Sequence, residues 1–189
     1  LVNFVGGGGK TGLIHRLMHE FSAQGAVLCT TTTRIHPPDP RERIAVISGD
    51  NIDLLRKMAD GIARTCPDRS FKLLITQSYL SPTLLRGVPP DFDNSLDRKA
   101  FPVLLNEADG SASFSLKMPR DGEPVLMQGA EYLVPVLGLD CLHQPVGAQT
   151  IFRFEKFLEH FAGHAHASIS PQLASDILMH PKGVCKGWK

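Results

Sequence analysis

The sequence predicts an α/β fold, a three-layer P-loop-type sandwich with a mostly parallel sheet, and three observations predict it. The chain opens on a short apolar segment, Leu1–Val5, that runs straight into Gly6-Gly7-Gly8-Gly9. Apolar residues then recur at helical spacing before a second apolar segment, Ala26–Thr30. Further short apolar runs alternate with helix-patterned or polar stretches. A strand, a glycine turn, a helix and a strand in that order form a βαβ unit, which implies parallel strands and a right-handed crossover.

Leu1–Val5 reads as a buried strand because it is short, apolar and stopped by glycines. The next helix, Thr11 to Gln24, carries Leu13, Ile14, Leu17, Met18 and Phe21, with Gly25 where a left-handed cap belongs. Ala26–Thr30 and Arg43–Ser48 read as strands. Asn51 is placed to cap a helix bearing Ile52, Leu55, Met58, Ala59 and Ile62. Phe71–Ile75 is a further strand. Ser78–Lys99 is rich in Pro, Asp and Ser and reads as loop, with a short helix near Phe92–Leu96. Phe101–Asn106 and Tyr132–Leu137 are strands that end at Glu107-Ala108-Asp109-Gly110 and Gly138-Leu139-Asp140. Ile151–Phe161 is the last predicted helix.

A chain of 189 residues, 42% hydrophobic and 21% charged, fits one nucleotide-binding domain spanning 1–189 with an ordinary globular core. Lys+Arg 20 against Asp+Glu 19 leaves a net charge of +1, so neither nucleic acid nor an anionic membrane is an expected partner. Cys29, Cys66, Cys141 and Cys185 form no C-x-x-C pair, which fits free thiols in the cytoplasm. No apolar run approaches the roughly 20 residues that span a bilayer, and Leu1–Val5 is too short for a signal-peptide core. Because the chain starts at Leu1 and not at Met, a few preceding residues are expected.

The glycine loop carries the chemistry. Between a strand and a helix, Gly6, Gly7, Gly8 and Gly9 let backbone N–H groups converge on a phosphate, and the helix N-terminus adds partial positive charge. Lys10 is then expected to neutralise the β/γ-phosphates of ATP, and the Thr11 hydroxyl to bind Mg²⁺. The full pattern G-x-x-x-x-G-K-[ST] asks for glycine at position 4, where Phe4 stands, so the loop is a shortened G-x-x-G-K-T variant. Glu107 and Asp109 follow an apolar strand, where a P-loop protein places the carboxylate that holds Mg²⁺ or orients a water. Glu107 is the expected metal-side residue. Lys10, Glu107 and Asp109 form the candidate catalytic set.

Other motifs compete for the same residues. Gly7, Gly9 and Gly12 formally match the dinucleotide fingerprint, which expects an acidic residue at the end of strand two. Thr30-Thr31-Thr32-Thr33 stands there, and an NADP reading stays open because a 2′-phosphate can dispense with the acid. Lys10-Thr11-Gly12 also spells the K-T-G of serine β-lactamases, but no S-x-x-K or S-D-N accompanies it. The threonine hydroxyls either contact ligand or satisfy a turn. His160, His164 and His166 read as solvated residues of a fraying helix end. No N-K-x-D segment is present to read guanine, so ATP is expected over GTP.

Phe4-Val5-Gly6-Gly7-Gly8-Gly9-Lys10-Thr11, Thr30-Thr31-Thr32-Thr33-Arg34-Ile35, Leu85-Arg86-Gly87-Val88-Pro89-Pro90 and Glu107-Ala108-Asp109-Gly110 together resemble the YqeC family. Leu116-Lys117-Met118-Pro119, Glu123-Pro124-Val125, Val136-Leu137-Gly138-Leu139-Asp140 and Arg153 continue the resemblance, as do Lys182-Gly183 and Lys186-Gly187. Three positions depart from it: Gly12 stands where a second Thr is usual, and Phe152 and Phe154 where a His and a Pro are. The resemblance implies an ATP-dependent accessory role in maturing a selenium-dependent molybdenum hydroxylase, with that enzyme or its cofactor as partner; the alternative is a non-catalytic chaperone that binds nucleotide or a pterin-like cofactor and delivers it to an apo-enzyme. The resemblance also implies a C-terminal end beyond the present chain. Thr32, Thr33, Lys117 and Arg153 are the residues expected to meet a second substrate.

Overall fold

The computed structural model describes residues 1–66 and 70–188. In chain order it contains β1 (Val2–Gly6), α1 (Lys10–Ser22), β2 (Val27–Thr31), β3 (Arg34–Ile35), β4 (Ala45–Ser48) and α2 (Ile52–Thr65). There follow β5 (Lys72–Thr76), β6 (Ser78–Ser81), β7 (Leu84–Arg86), β8 (Val103–Glu107), β9 (Leu116–Lys117) and β10 (Tyr132–Val136). The chain closes through β11 (Ile151–Phe152), α3 (Phe154–Phe161) and α4 (Pro171–Met179).

Six of the strands form a sheet in the order β10-β1-β8-β2-β5-β4, and every pair in it is parallel. Alternation along these strands sends neighbouring residues to opposite faces. Val27, Cys29, Leu74 and Leu105 pack with Ile14 and Met18 of α1, whereas Leu28, Leu73, Ile75 and Leu104 pack with Leu55, Ala59 and Ala63 of α2. Both faces of the sheet are therefore covered, which gives the three-layer α/β architecture that the sequence predicts. A separate apolar cluster joins Leu116, Ile151, Phe157, Leu173 and Ile177, from β9, β11, α3 and α4, with Met118 just past β9.

Local chemistry accounts for the helix starts. The Asn51 side chain accepts the Leu54 N–H at 3.0 Å, and the Ser170 hydroxyl accepts that of Leu173 at 3.1 Å ahead of Pro171. No side chain caps α1, whose N-cap is Gly9 in the left-handed region at φ 93°. Three expectations are corrected. Gly25 is not a left-handed cap; α1 ends at Ser22 with Ala23 as its right-handed C-cap, and the Gln24 N–H bonds to the Phe21 carbonyl. Ser78–Lys99 is not simply loop, because β6 and β7 form a hairpin that β3 extends to three antiparallel strands. Only Leu85 among the hairpin's strand residues is buried, so an alternating pattern is scarcely present. The last predicted helix starts at Phe154, since Arg153 sits at φ 61° and Ile151–Phe152 pairs with β9. One helix is added: α4 lies where no element was expected, although Ser170-Pro171 spells a helix start.

Candidate functional site

Register brings the site together. Phe4 of β1 and Thr31 of β2 both stand opposite Glu107 at the end of β8, so three adjacent strands finish level beside the glycine loop. A cleft of about 680 Å³ opens there, lined by Gly7 to Gly12 on one side, Glu107 and Gly110 on the floor, and Arg34, His36, Arg120 and Arg153 around the rim.

The glycines shape the loop by close approach. A Cβ on Gly6 would lie 2.3 Å from the Val136 carbonyl oxygen, and one on Gly7 2.2 Å from that of Ser115. Neither position has room for a side chain. The Gly7 N–H donates to Val136 O at 2.8 Å, and the Gly6 N–H donates to both carboxylate oxygens of Asp109 at 3.0 and 3.1 Å. Past Gly9 the uncapped first turn of α1 faces the cleft, with no acidic side chain in it. An anion there would meet free N–H groups and the positive end of the helix.

Lys10 is folded back. Its Nζ donates to the Gly6 carbonyl at 2.6 Å and pairs with Asp109 at 3.2 Å, and the residue is only 3% exposed. Asp109 is fully buried and uses its other oxygen on Lys117 at 3.1 Å. Lys117, also fully buried, spends its remaining protons on the Gly110 carbonyl at 2.6 Å and on Glu123 at 2.9 Å. Glu123 in turn takes a two-pronged bond from Arg153 at 2.6 and 2.9 Å and a contact from Arg120 Nε at 3.0 Å. Opposite charges thus alternate without a break from the loop lysine to the cleft rim. Burial of such a chain is tolerated because each buried charge has a partner that offsets its loss of water. Burial acts to raise the Glu123 carboxyl, but the bonds and charges of Arg153 and Lys117 outweigh it and hold the group at about 2.

Glu107 stands apart from that chain. Its Oε2 accepts the Thr11 hydroxyl at 2.8 Å, and burial raises its carboxyl above the ordinary range, with Lys10 and the Thr11 bond opposing the rise. A hydroxyl and a carboxylate held together at a helix N-terminus form a pair of oxygen ligands suited to a hard divalent cation. The described residues contain no ready-made group of three or more His, Cys, Asp or Glu around a metal position.

The structure therefore brings Gly6 to Gly12, Lys10, Thr11, Glu107 and Asp109 to one place. It separates the residues expected to meet a second substrate. Thr33 and Arg153 line the cleft, whereas Lys117 lies beneath its floor with its donors engaged. The Thr32 hydroxyl donates to the Val125 carbonyl, and those of Thr30 and Thr31 donate to Ile75 and Glu107 carbonyls. These threonines stitch strand ends together. His160, His164 and His166 are exposed and take no part in lining the cleft. Arg34, His36, Arg120 and Glu123 have no site role that the sequence alone suggests; the signals that could have found them are that Arg34 and His36 directly follow the threonine segment and that Glu123 opens the Glu123-Pro124-Val125 segment of the family resemblance.

The four cysteines are free thiols, and no described helix is long and apolar enough to cross a membrane. A family model described as YqeC protein matches residues 2–155. The chain is 27% identical over 192 aligned positions to "Uncharacterized protein YqeC" of Escherichia coli (strain K12), covering 98% of this chain and 70% of that protein. No solved structure matches. With the glycine loop, the threonine segment and the end of β8 all inside the matched span, the chain belongs to the YqeC family.

Proposed function

We propose that this chain binds ATP with Mg²⁺ in the cleft and acts as a cytoplasmic accessory protein in maturing a selenium-dependent molybdenum hydroxylase. The observation that carries the nucleotide reading is the 2.8 Å bond between Thr11 and Glu107, at the mouth of a glycine loop whose helix start has no side-chain cap. The N–H groups of the first turn of α1 would hold the phosphates. Thr11 and Glu107 would hold the Mg²⁺, which neutralises developing phosphate charge when bound. Lys10 reaches the phosphates by exchanging Asp109 for them. Asp109 retains Lys117 and the Gly6 N–H in that exchange, and so acts as a brace for the loop. The hydroxylase role rests on the family resemblance.

A thermal-shift screen of ATP, GTP and NADP with and without Mg²⁺ tests the reading. ATP at one hundred times its Kd should stabilise the native state by about 2.7 kcal/mol. Lys10→Met should keep the fold, because Asp109 keeps two partners, yet weaken ATP–Mg²⁺ binding by about tenfold or more. Stabilisation by NADP with no response to ATP would overturn the proposal. ATP turnover with Mg²⁺ then distinguishes an enzyme from a nucleotide-gated carrier.

A further inference from the structure

Arg34 and Arg86 stand directly opposite each other across the antiparallel β3–β7 pair. Residues so paired project from the same face with their Cβ atoms only about 5 Å apart, and like charges in that position destabilise a sheet. No ion pair relieves the repulsion: among the described residues neither guanidinium has a hydrogen-bond or acidic partner. Both line a cavity of about 490 Å³ that also receives Arg120, Thr32 and Thr33. Arg120 offers further donors, since Glu123 holds only its Nε. The acids on this wall are Asp121 and Glu123, and Glu123 is already committed to Lys117 and Arg153. Positive charge is in excess, and it is in excess where two strands oppose it.

We infer that this cavity is a second anion site, built by the Arg34–Arg86 pair and Arg120 to take the phosphoryl group of a small phosphorylated ligand. A tetrahedral dianion between two guanidinium forks accepts parallel N–H bonds from both and turns their repulsion into attraction. The cavity shares Thr33, Arg34, Arg120 and Glu123 with the cleft beside the glycine loop, so the rest of the ligand can reach the cleft. Its status as a second substrate rests on the nucleotide reading above; the anion site itself does not.

The test uses inorganic phosphate as probe, with ionic strength held constant by chloride, and follows thermal stability in wild type, Arg86→Gln, Arg34→Gln and Arg16→Gln. Arg16 is a control arginine on α1, paired with Glu20 outside both cavities. In phosphate-free buffer Arg86→Gln and Arg34→Gln should melt higher than wild type, because one member of a repelling pair is gone. Each should bind phosphate about tenfold more weakly, whereas Arg16→Gln should respond as wild type does. Undiminished phosphate stabilisation in both site variants places the anion at the glycine loop and overturns the inference, as does a wild type that ignores phosphate. The ATP–Mg²⁺ response of wild type is read separately. Its absence would sink the nucleotide reading and leave the phosphate comparison intact.

Discussion

At the scale of single residues, two carboxylates set opposite pH dependences. Glu107 is raised from its ordinary 4.5 by burial, so the folded protein holds its proton more tightly than the unfolded chain does. Its contribution is fully present below the ordinary value and is lost as pH rises through the raised one. Mg²⁺ needs the ionised form, so Mg²⁺-enhanced ATP binding should strengthen as pH rises through the same range. Glu107→Gln should abolish that enhancement while metal-free nucleotide binding persists or tightens, because a negative charge near the phosphates is gone. Titration calorimetry with and without Mg²⁺ reads both, and an unchanged Mg²⁺ dependence removes Glu107 from the metal. Glu123 behaves the other way. Held at about 2 against an ordinary 4.5, it stabilises the fold above 4.5, and that stability is lost as pH falls from there toward 2. Glu123→Gln should cost about 3 kcal/mol at neutral pH, by leaving Lys117 and Arg153 without their shared partner, and should flatten the acid limb of the stability curve. Denaturant melts at a series of pH values measure both effects.

At the scale of elements, packing requires a glycine at position 7 and does not require one at position 12. Gly7→Ala would drive a methyl group to 2.2 Å from the Ser115 carbonyl, so the loop or the segment leading into β9 must shift. A loss of about 2 kcal/mol or more is expected, together with weakened ligand binding as the loop deforms. Gly12 sits inside α1, and nothing lies within 4 Å of the place a methyl group would take there. Gly12→Ala should therefore stabilise by about 0.5–1 kcal/mol through helix propensity alone. Urea melts of the two variants should move in opposite directions, and a destabilised Gly12→Ala would mean that the loop needs flexibility there. The inner strands β1, β2, β5 and β8 were legible because each is a short, largely apolar run buried on both faces. The β6–β7 hairpin and the β9–β11 pair were not legible: their strands are only two to four residues long, and pairing partners, not a local pattern, define them.

At the scale of the whole molecule, ATP should be preferred over GTP, since no guanine-reading N-K-x-D segment is present; competition thermal shifts decide it, and a clear GTP preference would contradict it. The cleft that would hold either one is a product of strand order. β8 is inserted between β1 and β2, which puts residue 107 beside residue 11 although 96 residues separate them. Local periodicity and turn chemistry already encode the α/β layering, the glycine loop at the end of β1 and the carboxylates at and just past the end of β8. Three-dimensional packing settles how those carboxylates divide. Asp109 is sealed between two lysines and the Gly6 amide, and Glu107 reaches the loop hydroxyl. It also decided that Lys117 serves the chain of buried ion pairs and that Arg34 meets Arg86 across a strand pair. Such assignments depend on which charges the fold removes from water together, and in a low-dielectric interior each charge settles on the opposite charge that packing brings within reach.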